Sequence, residues 1–232
     1  MVNAWEKYYS ERKTNYFGET VSDASFIIKI LDMKKEDVVL DIGAGPGAHL
    51  EDIRRKINGV KCIGIEISET AIKKKLSKEL DIRPGDMRKM PFENESFDKI
   101  FSLGTVEHVP ETEQVLREIY RVLKKNGKIY LTVPNKISFF HLTKRFKMLI
   151  GKWDIGYEKS FTPMEFRKLL HMAGFKNSKY FISPHLRVAN IFNYMDNKLN
   201  NIRGKYFGFF LHFIAEKGLS SKESLGKKRE IK

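Results

Sequence analysis

A carboxylate and three glycines stand close together in the stretch VVLDIGAGPGAHL, residues 38–50. Asp41 closes an apolar run, and Gly43, Gly45 and Gly47 follow it at alternate positions. A strand, a glycine turn and the start of a helix, in that order, bring backbone N–H groups to the carboxyl edge of a parallel sheet. The spacing therefore predicts a nucleotide-type binding site, and it even satisfies the loose dinucleotide pattern.

The charge of Asp41 bears on which ligand this turn holds. A carboxylate about 4 Å from a pyrophosphate oxygen costs on the order of 4 kcal/mol at an effective dielectric constant of about 20. Beside a sulfonium or an amino group the same interaction is attractive. Asp41 therefore favours a cationic ligand and argues against a nicotinamide-dependent oxidoreductase, the competitor that the fold alone would allow.

Two further acids follow predicted strands. Glu66 comes about twenty residues after the glycines, where an acid usually accepts hydrogen bonds from ribose hydroxyls. Asp86 follows the third strand segment, and a carboxylate there can accept from the exocyclic amine of adenine. Three acids at the ends of three successive strands suit an adenosine that carries a positively charged amino acid.

Alternating strand-like and helical segments position these acids. Apolar runs predict strands at 37–42, 61–66, 97–103 and 127–133, with helices at 47–57, 68–78 and 111–124 between them. Helices at 3–12 and 20–32 precede this part; helices at 138–150, in TPMEFRKLLHMAGF and at 187–200, with strands at 177–183 and 206–215, follow it. The alternation predicts an α/β fold, a parallel sheet with helices on both faces.

Five motifs in order resemble the class I S-adenosylmethionine-dependent methyltransferases of the small-molecule type. They are VVLDIGAGPG, GIEIS, GDMRKMPFENESFDKIFS, VEHV and EIYRVLKKNGKIYLTVPN, which together cover about residues 36–135. The agreement is weaker through YEKSFTPMEFRKLLHMAGF. The resemblance implies a Rossmann-like, doubly wound sheet of seven strands, mostly parallel with the last strand antiparallel. It also implies the cofactor S-adenosyl-L-methionine, with S-adenosyl-L-homocysteine as product.

The resemblance also implies the cofactor-binding residues. The acid and glycines of the first motif line the amino-acid end of the cofactor, Glu66 binds ribose, and Asp86 and Met87 flank the adenine. Leu103 and Gly104 close the pocket. The full predicted set is Asp41, Gly43, Ala44, Gly45, Gly47, Glu66, Ile67, Asp86, Met87, Leu103 and Gly104.

His108, in GTVEHVPE, is the one candidate for a general base. Some relatives carry Glu-x-x-Glu-His at this point and bind a metal, but here Gly104 replaces the first glutamate. The lost oxygen ligand predicts that no metal is bound. A purely structural role, in which His108 bonds to backbone at a helix start, remains the alternative.

Five residues are candidates for contact with the methyl acceptor. Tyr8 and Tyr16 lie in the predicted N-terminal lid, Asn135 follows the fifth strand, and Tyr157 and Phe161 come after a basic helix. Each of them could instead serve only in packing.

The length and the residue types limit the class of protein. A chain of 232 residues allows one large domain, predicted over 1–217, with a lid at 1–33, a basic amphipathic insertion at 136–160 and a basic flexible tail at 218–232. No run of eighteen apolar residues and no signal-peptide pattern occur, and the single cysteine, Cys62, excludes an internal disulfide. These features predict a cytoplasmic protein.

Positive charge is concentrated in the second part of the chain. Residues 1–135 hold 23 Lys and Arg against 22 Asp and Glu, whereas residues 136–232 hold 20 against 7. The helix at 138–150 is amphipathic, with Phe139, Leu142, Phe146, Leu149 and Ile150 on one face and His141, Lys144, Arg145 and Lys147 on the other. It can be an ordinary packed helix, an interfacial helix on anionic lipid, or a nucleic-acid surface.

These observations leave several functions open. The first is a methyltransferase for a small-molecule or lipid-linked acceptor, with peripheral contact to an anionic membrane. The second is an RNA methyltransferase, which ranks lower because no RNA-binding module is recognised. The third is a non-catalytic binding subunit, which the intact motifs disfavour.

Overall fold

The structure is a computed structural model, and it describes residues 2–11, 23–151, 156–183, 198 and 207–218. Its helices are α1 Val2–Glu11, α2 Ala24–Leu31, α3 Ala48–Lys56, α4 Glu69–Lys73, α5 Thr112–Val122, α6 Phe139–Leu149 and α7 Pro163–Met172, with a short 3₁₀ helix at Val106–His108. Its strands are β1 Val38–Ile42, β2 Lys61–Glu66, β3 Asp81–Pro84, β4 Phe97–Leu103, β5 Leu123–Pro134, β6 Ser178–Ser183 and β7 Phe210–Glu216.

The seven strands form a single sheet in the order β3-β2-β1-β4-β5-β7-β6. The first five pair in parallel, and β7 runs antiparallel between β5 and β6. This arrangement confirms the predicted Rossmann-like sheet with its last strand antiparallel. The strand order reverses between β1 and β4, and ligands bind such sheets at the carboxyl edge of that switch point.

Helices cover both faces of the sheet. On one face α5 and α7 bury Leu116, Ile119 and Phe166 against the strands. On the other face α2 and α3 bury Ile27 and Leu50. Burial of each side chain of this size contributes roughly 1.5–3 kcal/mol to the stability of the fold. The two helical layers therefore hold the sheet, and with it the strand ends that carry the predicted acids.

Helix α7 begins as the sequence predicts. Thr162 accepts a hydrogen bond from the backbone N–H of Glu165, the Glu165 carboxylate accepts from the Thr162 N–H, and Pro163 occupies the first helical position. This capping box satisfies two backbone donors that would otherwise lack partners. Gly174, at φ 112°, follows the helix end.

Two predicted helices end earlier than expected. The helix expected at 111–124 stops at Val122, because the buried Leu123 already pairs with Phe97 as the first residue of β5. The helix expected at 68–78 stops at Lys73, and the backbone N–H of Leu76 instead donates to the carbonyl of Pro46. In both places a tertiary contact overrides the local pattern.

Some predictions concern residues outside the described part of the chain. They include the helix at 187–200 except for residue 198, the tail at 219–232, and Tyr16. The last strand begins at Phe210 rather than at 206. No helix in the described ranges is long and apolar enough to cross a bilayer.

The basic amphipathic helix forms as α6, but its faces differ from the expectation. Lys144 was expected on the solvated face and is buried, because its ammonium lies against Glu158. Phe146, Leu149 and Ile150 were expected to share an apolar face, and all three are exposed. The interpretation of α6 as an ordinary packed helix is therefore wrong at this end of the helix.

Candidate active site at the carboxyl edge of the sheet

A cavity opens where β1, β2 and β4 end, and α1 covers one side of it. Ten of the eleven predicted cofactor residues line this cavity: Asp41, Gly43, Ala44, Gly45, Glu66, Ile67, Asp86, Met87, Leu103 and Gly104. His108 and Tyr8 line it as well. The structure thus brings together residues that lie more than sixty positions apart in the sequence.

The glycine turn allows other groups to approach the backbone closely. Gly43 has φ 76° and Gly45 has φ 53°, conformations that favour glycine. A Cβ at Gly43 would lie 2.3 Å from Cγ2 of Thr105, and one at Gly45 would lie 2.7 Å from Oη of Tyr9. No larger residue fits at either position without displacing its neighbour.

Gly47 has a different role from the other two glycines. It precedes α3 with φ 88°, and a Cβ there would lie 2.7 Å from Cδ1 of both Leu80 and Ile82. It is the predicted cofactor residue that the cavity lining lacks. Its position indicates that it allows α3 to begin against the end of the sheet.

Asp41 presents a buried carboxylate to the cavity. It is only 3% exposed, and no hydrogen bond to its side chain is found within the described residues. Burial raises the pKa of Asp41 well above its ordinary value, and the nearby Glu66 carboxylate raises it further. A cationic donor at this point would relieve both effects.

Glu66 ties the glycine turn to the end of β2. Its Oε2 accepts from the N–H of Gly45 at 2.8 Å, and its Oε1 accepts from the N–H groups of Ile67 at 2.8 Å and Ser68 at 2.9 Å. Burial raises the pKa of Glu66, and these three hydrogen bonds oppose the shift. Each carboxylate oxygen can accept more than one hydrogen bond, so capacity for a ligand hydroxyl remains.

The sequence predicts that the Asp86 carboxylate is open to adenine, but in the structure it is bound by Arg88. Its Oδ2 accepts from Nη2 of Arg88 at 2.6 Å, and its Oδ1 accepts from the Arg88 backbone N–H at 2.8 Å. The Arg88 guanidinium holds the pKa of Asp86 below its ordinary value. A ligand amine must share this carboxylate with the arginine.

His108 lies at the edge of the cavity with its two ring nitrogens in different surroundings. Its Nδ1 is 2.9 Å from the carbonyl oxygen of Tyr157, and the ring of Trp5 packs edge-on at 4.8 Å. No partner of Nε2 is found in the described ranges. Burial lowers the pKa of His108, which leaves the ring neutral near neutral pH. Nδ1 of His108 therefore makes the backbone contact of the structural alternative, and Nε2 does not take part in it.

Comparisons with known proteins agree with this geometry. The model of the family described as "Methyltransferase domain" matches residues 40–131. The sterol 24-C-methyltransferase ERG6 of Saccharomyces cerevisiae is 36% identical over 41% of this chain and 27% of the enzyme. The demethylmenaquinone methyltransferase of Lactobacillus johnsonii is 26% identical over 64% of this chain and 72% of that protein.

Residues 40–131 form a methyltransferase domain of the class I S-adenosylmethionine-dependent type. The fold of the chain matches phosphoethanolamine N-methyltransferase 2 of Haemonchus contortus, with a TM-score of 0.67 and 18% identity, over 94% of this chain and 57% of the other. The part of the chain that matches the sterol enzyme named above spans about a quarter of that enzyme. S-adenosyl-L-methionine is the cofactor of this domain.

The residues that line the cavity fit that cofactor. The buried Asp41 carboxylate has no hydrogen-bond partner in the described part of the chain and suits the ammonium group at the amino-acid end. Gly43 and Gly45 line the cavity without adding a side chain to it, so a ligand can approach their backbone. These two observations of the protein itself support the cofactor.

The predicted acceptor residues fall into two groups. Tyr8 lines the cavity, and Tyr157 is exposed nearby and contributes its carbonyl oxygen to His108. Asn135 is buried, and its side chain donates to Gly208 and accepts from Ile137, while Phe161 is buried against Phe166. Asn135 and Phe161 do not line the cavity and hold the surrounding chain in place.

The sequence analysis missed an aromatic cluster on α1. Trp5 and Tyr9 line the cavity together with Tyr8, with ring centroids 5.5 Å apart for Trp5 and Tyr8 and 5.1 Å apart for Tyr8 and Tyr9. Spacings of three and four residues place these rings on one helical face, a pattern visible in the sequence WEKYY. His49 and Thr105 also line the cavity and carried no signal in the sequence.

No group of three or more His, Cys, Asp or Glu side chains that could hold a metal ion occurs among the described residues.

Proposed function

We propose that this protein transfers a methyl group from S-adenosyl-L-methionine to a small-molecule or lipid-linked acceptor. The observation that carries the proposal is the meeting of Asp41, Glu66 and the glycine turn in one cavity whose edge holds His108. A cavity with buried acids at one end and an unprotonated imidazole nitrogen at the other suits a cationic cofactor and a nucleophile that must lose a proton.

Each end of the cofactor has its own partners in the proposal. Asp41 would hold the ammonium group, Glu66 a ribose hydroxyl, and Asp86 the adenine amine after it gives up one contact with Arg88. Met87 and Leu103 would flank the adenine and the sugar. When bound, the cofactor supplies a methyl group on a positively charged sulfur.

His108 would act as the general base. Its Nε2 would accept the proton that the acceptor's oxygen, nitrogen or carbon loses as its new bond to the methyl group forms. Alignment of the acceptor along the line of displacement can contribute roughly 7–11 kcal/mol to the rate. The walls formed by α1 and β4 would provide that alignment and exclude water.

Two observations support an apolar or lipid-linked acceptor. Matched relatives are named for a sterol and for demethylmenaquinone. The end of α6 exposes Phe146, Met148, Leu149 and Ile150, and Leu149 is 84% exposed. With the charge excess of residues 136–232, this end would fit the interface of an anionic membrane. The proposal includes a cytoplasmic location with peripheral membrane contact.

An RNA acceptor is the second candidate, and the same charge excess favours it. The burial of Lys144 weakens it, because one cation of the basic helix already pairs with Glu158 inside the protein. A lipid surface also accounts for the exposed apolar side chains at the end of α6, which phosphate contacts do not.

The test is incubation of the protein with methyl-labelled S-adenosyl-L-methionine in a cell extract, followed by separation into lipid, RNA, protein and small polar fractions. Label in the lipid or small-molecule fraction is expected. Label in RNA would replace the first proposal with the second. Cofactor binding by calorimetry without label in any fraction would contradict both.

A further inference from the structure

A buried polar cluster lies behind His108, outside the cofactor cavity. Nζ of Lys144 on α6 lies 2.7 Å from Oε1 of Glu158, 2.7 Å from the carbonyl oxygen of Glu158 and 3.3 Å from Oγ of Ser160. The two charged side chains are 3% and 10% exposed. In no other ion pair of the described ranges are both partners this deeply buried.

The cluster fastens the segment 156–161, here termed the strap, which precedes α7. The strap N–H of Lys159 donates to the carbonyl oxygen of Glu107 at 3.0 Å. The N–H of Phe161 donates to the carbonyl oxygen of Pro134 at 2.9 Å. The strap therefore lies directly against the 3₁₀ helix that carries His108.

The strap also provides the partner of the His108 ring. The carbonyl oxygen of Tyr157, 2.9 Å from Nδ1, can only accept a hydrogen bond. Nδ1 of a neutral ring must then carry the proton, which leaves Nε2 unprotonated. Tyr157 directly precedes Glu158, whose carbonyl oxygen and carboxylate both accept from Lys144.

We propose that Lys144 is a positioning residue for His108. By holding the strap through Glu158 and Ser160, its ammonium fixes the Tyr157 carbonyl oxygen against Nδ1, keeps the ring proton there and leaves Nε2 able to accept a proton. That Nε2 acts as a catalytic base rests on the proposed function. That Lys144 fixes the position of the ring proton does not.

The burial of both charges indicates what the Lys144–Glu158 ion pair contributes. A buried ion pair contributes little net stability compared with apolar packing, so its value lies in the geometry it imposes. The nearby Glu107 is buried, and its Oε2 has no hydrogen-bond partner within the described residues. Burial raises the pKa of Glu107 well above its ordinary value, and the carboxylate of Glu158 raises it further.

The experiment is long-range ¹H–¹⁵N spectroscopy of the ¹⁵N-histidine-labelled full chain, without cofactor or acceptor. The chain has six histidines, and the signal that His108→Gln removes identifies His108. The wild-type protein should show the proton on Nδ1 only. Lys144→Met removes the charge and keeps an unbranched side chain one atom shorter, and it should give a mixture of both ring tautomers. Lys136→Met, which removes an exposed lysine paired with Glu165, should leave the wild-type signal unchanged.

Two results would overturn the proposal: a wild-type ring protonated on Nε2, or a single Nδ1 tautomer in folded Lys144→Met. Should Lys144→Met fail to fold, the spectra of Glu158→Ala and Glu158→Gln test the proposal instead. Glu158→Ala should give mixed tautomers, whereas Glu158→Gln, which keeps an oxygen acceptor for Lys144, should give the Nδ1 tautomer alone. Equal spectra from the two variants would contradict the proposal. The spectra do not depend on turnover. The positioning role of Lys144 can therefore be supported or refuted whether or not methyl transfer is detected in the extract experiment.

Discussion

Burial disfavours the charged form of the Asp41 carboxyl and raises its pKa. A buried carboxylate with no hydrogen-bond partner in the described part of the chain is destabilising until a ligand provides one, so the same side chain weakens the free protein and strengthens the complex. Glu66 shows the opposite arrangement, since three backbone N–H groups already stabilise its charge. Under the proposed role, Asp41 is therefore the residue at which cofactor affinity and free-protein stability oppose each other.

The first prediction concerns cofactor affinity. Asp41→Asn removes the charge that attracts the ammonium group and should weaken S-adenosyl-L-methionine binding at least about tenfold, or about 1.4 kcal/mol. Titration calorimetry measures the change. Asp52→Asn, at an exposed position of α3, is the matched control and should bind as the wild type does. Equal affinity of the two variants would refute the role of Asp41.

The second prediction follows from the raised pKa of Asp41. The folded protein holds this carboxyl protonated more tightly than the unfolded chain does, so stability is lost as the pH rises above the ordinary value of 3.8. The cofactor-free Asp41→Asn variant should then unfold at a higher temperature than the wild type at neutral pH. Thermal unfolding at several pH values should show this gain shrinking toward acid pH, and a gain independent of pH would contradict the assignment.

The third prediction concerns the proton acceptor. Once an acceptor is identified, His108→Gln should lower turnover by roughly 10²–10⁴-fold and leave cofactor affinity unchanged. Because the pKa of His108 lies below 6.5, the wild-type rate should fall only at pH values below that point. Full turnover of the variant would show that the acceptor needs no base.

At the scale of elements, the start of α3 shows how closely helix and sheet are packed. Gly47 needs a positive φ and also leaves no room for a Cβ beside Leu80 and Ile82. Gly151 has φ 68°, and no atom of the described residues lies within 4 Å of its Cβ position, so a substitution there measures the conformational cost alone.

The fourth prediction compares these two glycines. Gly47→Ala should lower the free energy of unfolding by about 2–4 kcal/mol, from left-handed strain and overpacking together, and Gly151→Ala by roughly 1–2 kcal/mol from strain alone. Urea unfolding of both variants measures the difference. Equal losses would show that the helix start can shift to accept a methyl group.

The fifth prediction concerns the exposed end of α6. The protein should sediment with vesicles that contain phosphatidylglycerol and not with pure phosphatidylcholine vesicles, and binding should weaken as salt is added. Leu149→Glu should abolish it. Met164→Glu, at a 72% exposed position on α7, is the control and should bind as before. If Leu149→Glu still binds the vesicles, α6 does not form the membrane contact.

Local signals in the sequence were sufficient for the end of β1, the glycine turn and the start of α7. The apolar run before Asp41, the alternate glycines and the Thr162–Glu165 cap each depend on residues a few positions apart. What sequence reasoning missed depends on distant contacts. Tyr157 meets His108 across 49 positions, and Lys144 turns inward only because Glu158 lies beneath it. A pattern along one helix cannot show such a partner.

At the scale of the whole molecule, the sheet joins two unequal parts. The strands that carry the predicted cofactor residues, β1, β2 and β4, come from the nearly neutral part of the chain, whereas α6, α7 and the antiparallel pair come from the basic part. The cofactor site and the proposed acceptor side are thus built by different stretches of sequence. The shared motifs cover the first stretch, so the fold and cofactor were predictable and the acceptor was not.

The position of α1 has a kinetic consequence. Oη of Tyr9 lies against Gly45, and the helix is fastened to α4 by a few polar contacts, among them the Thr70 N–H donating to Glu6 at 3.3 Å. A ligand that fills the glycine turn must displace this hydroxyl as it enters, and it must pass α1 again as it leaves. The opening rate of α1, rather than diffusion, should therefore set how fast cofactor is exchanged for product, and each turnover would include one opening of the helix.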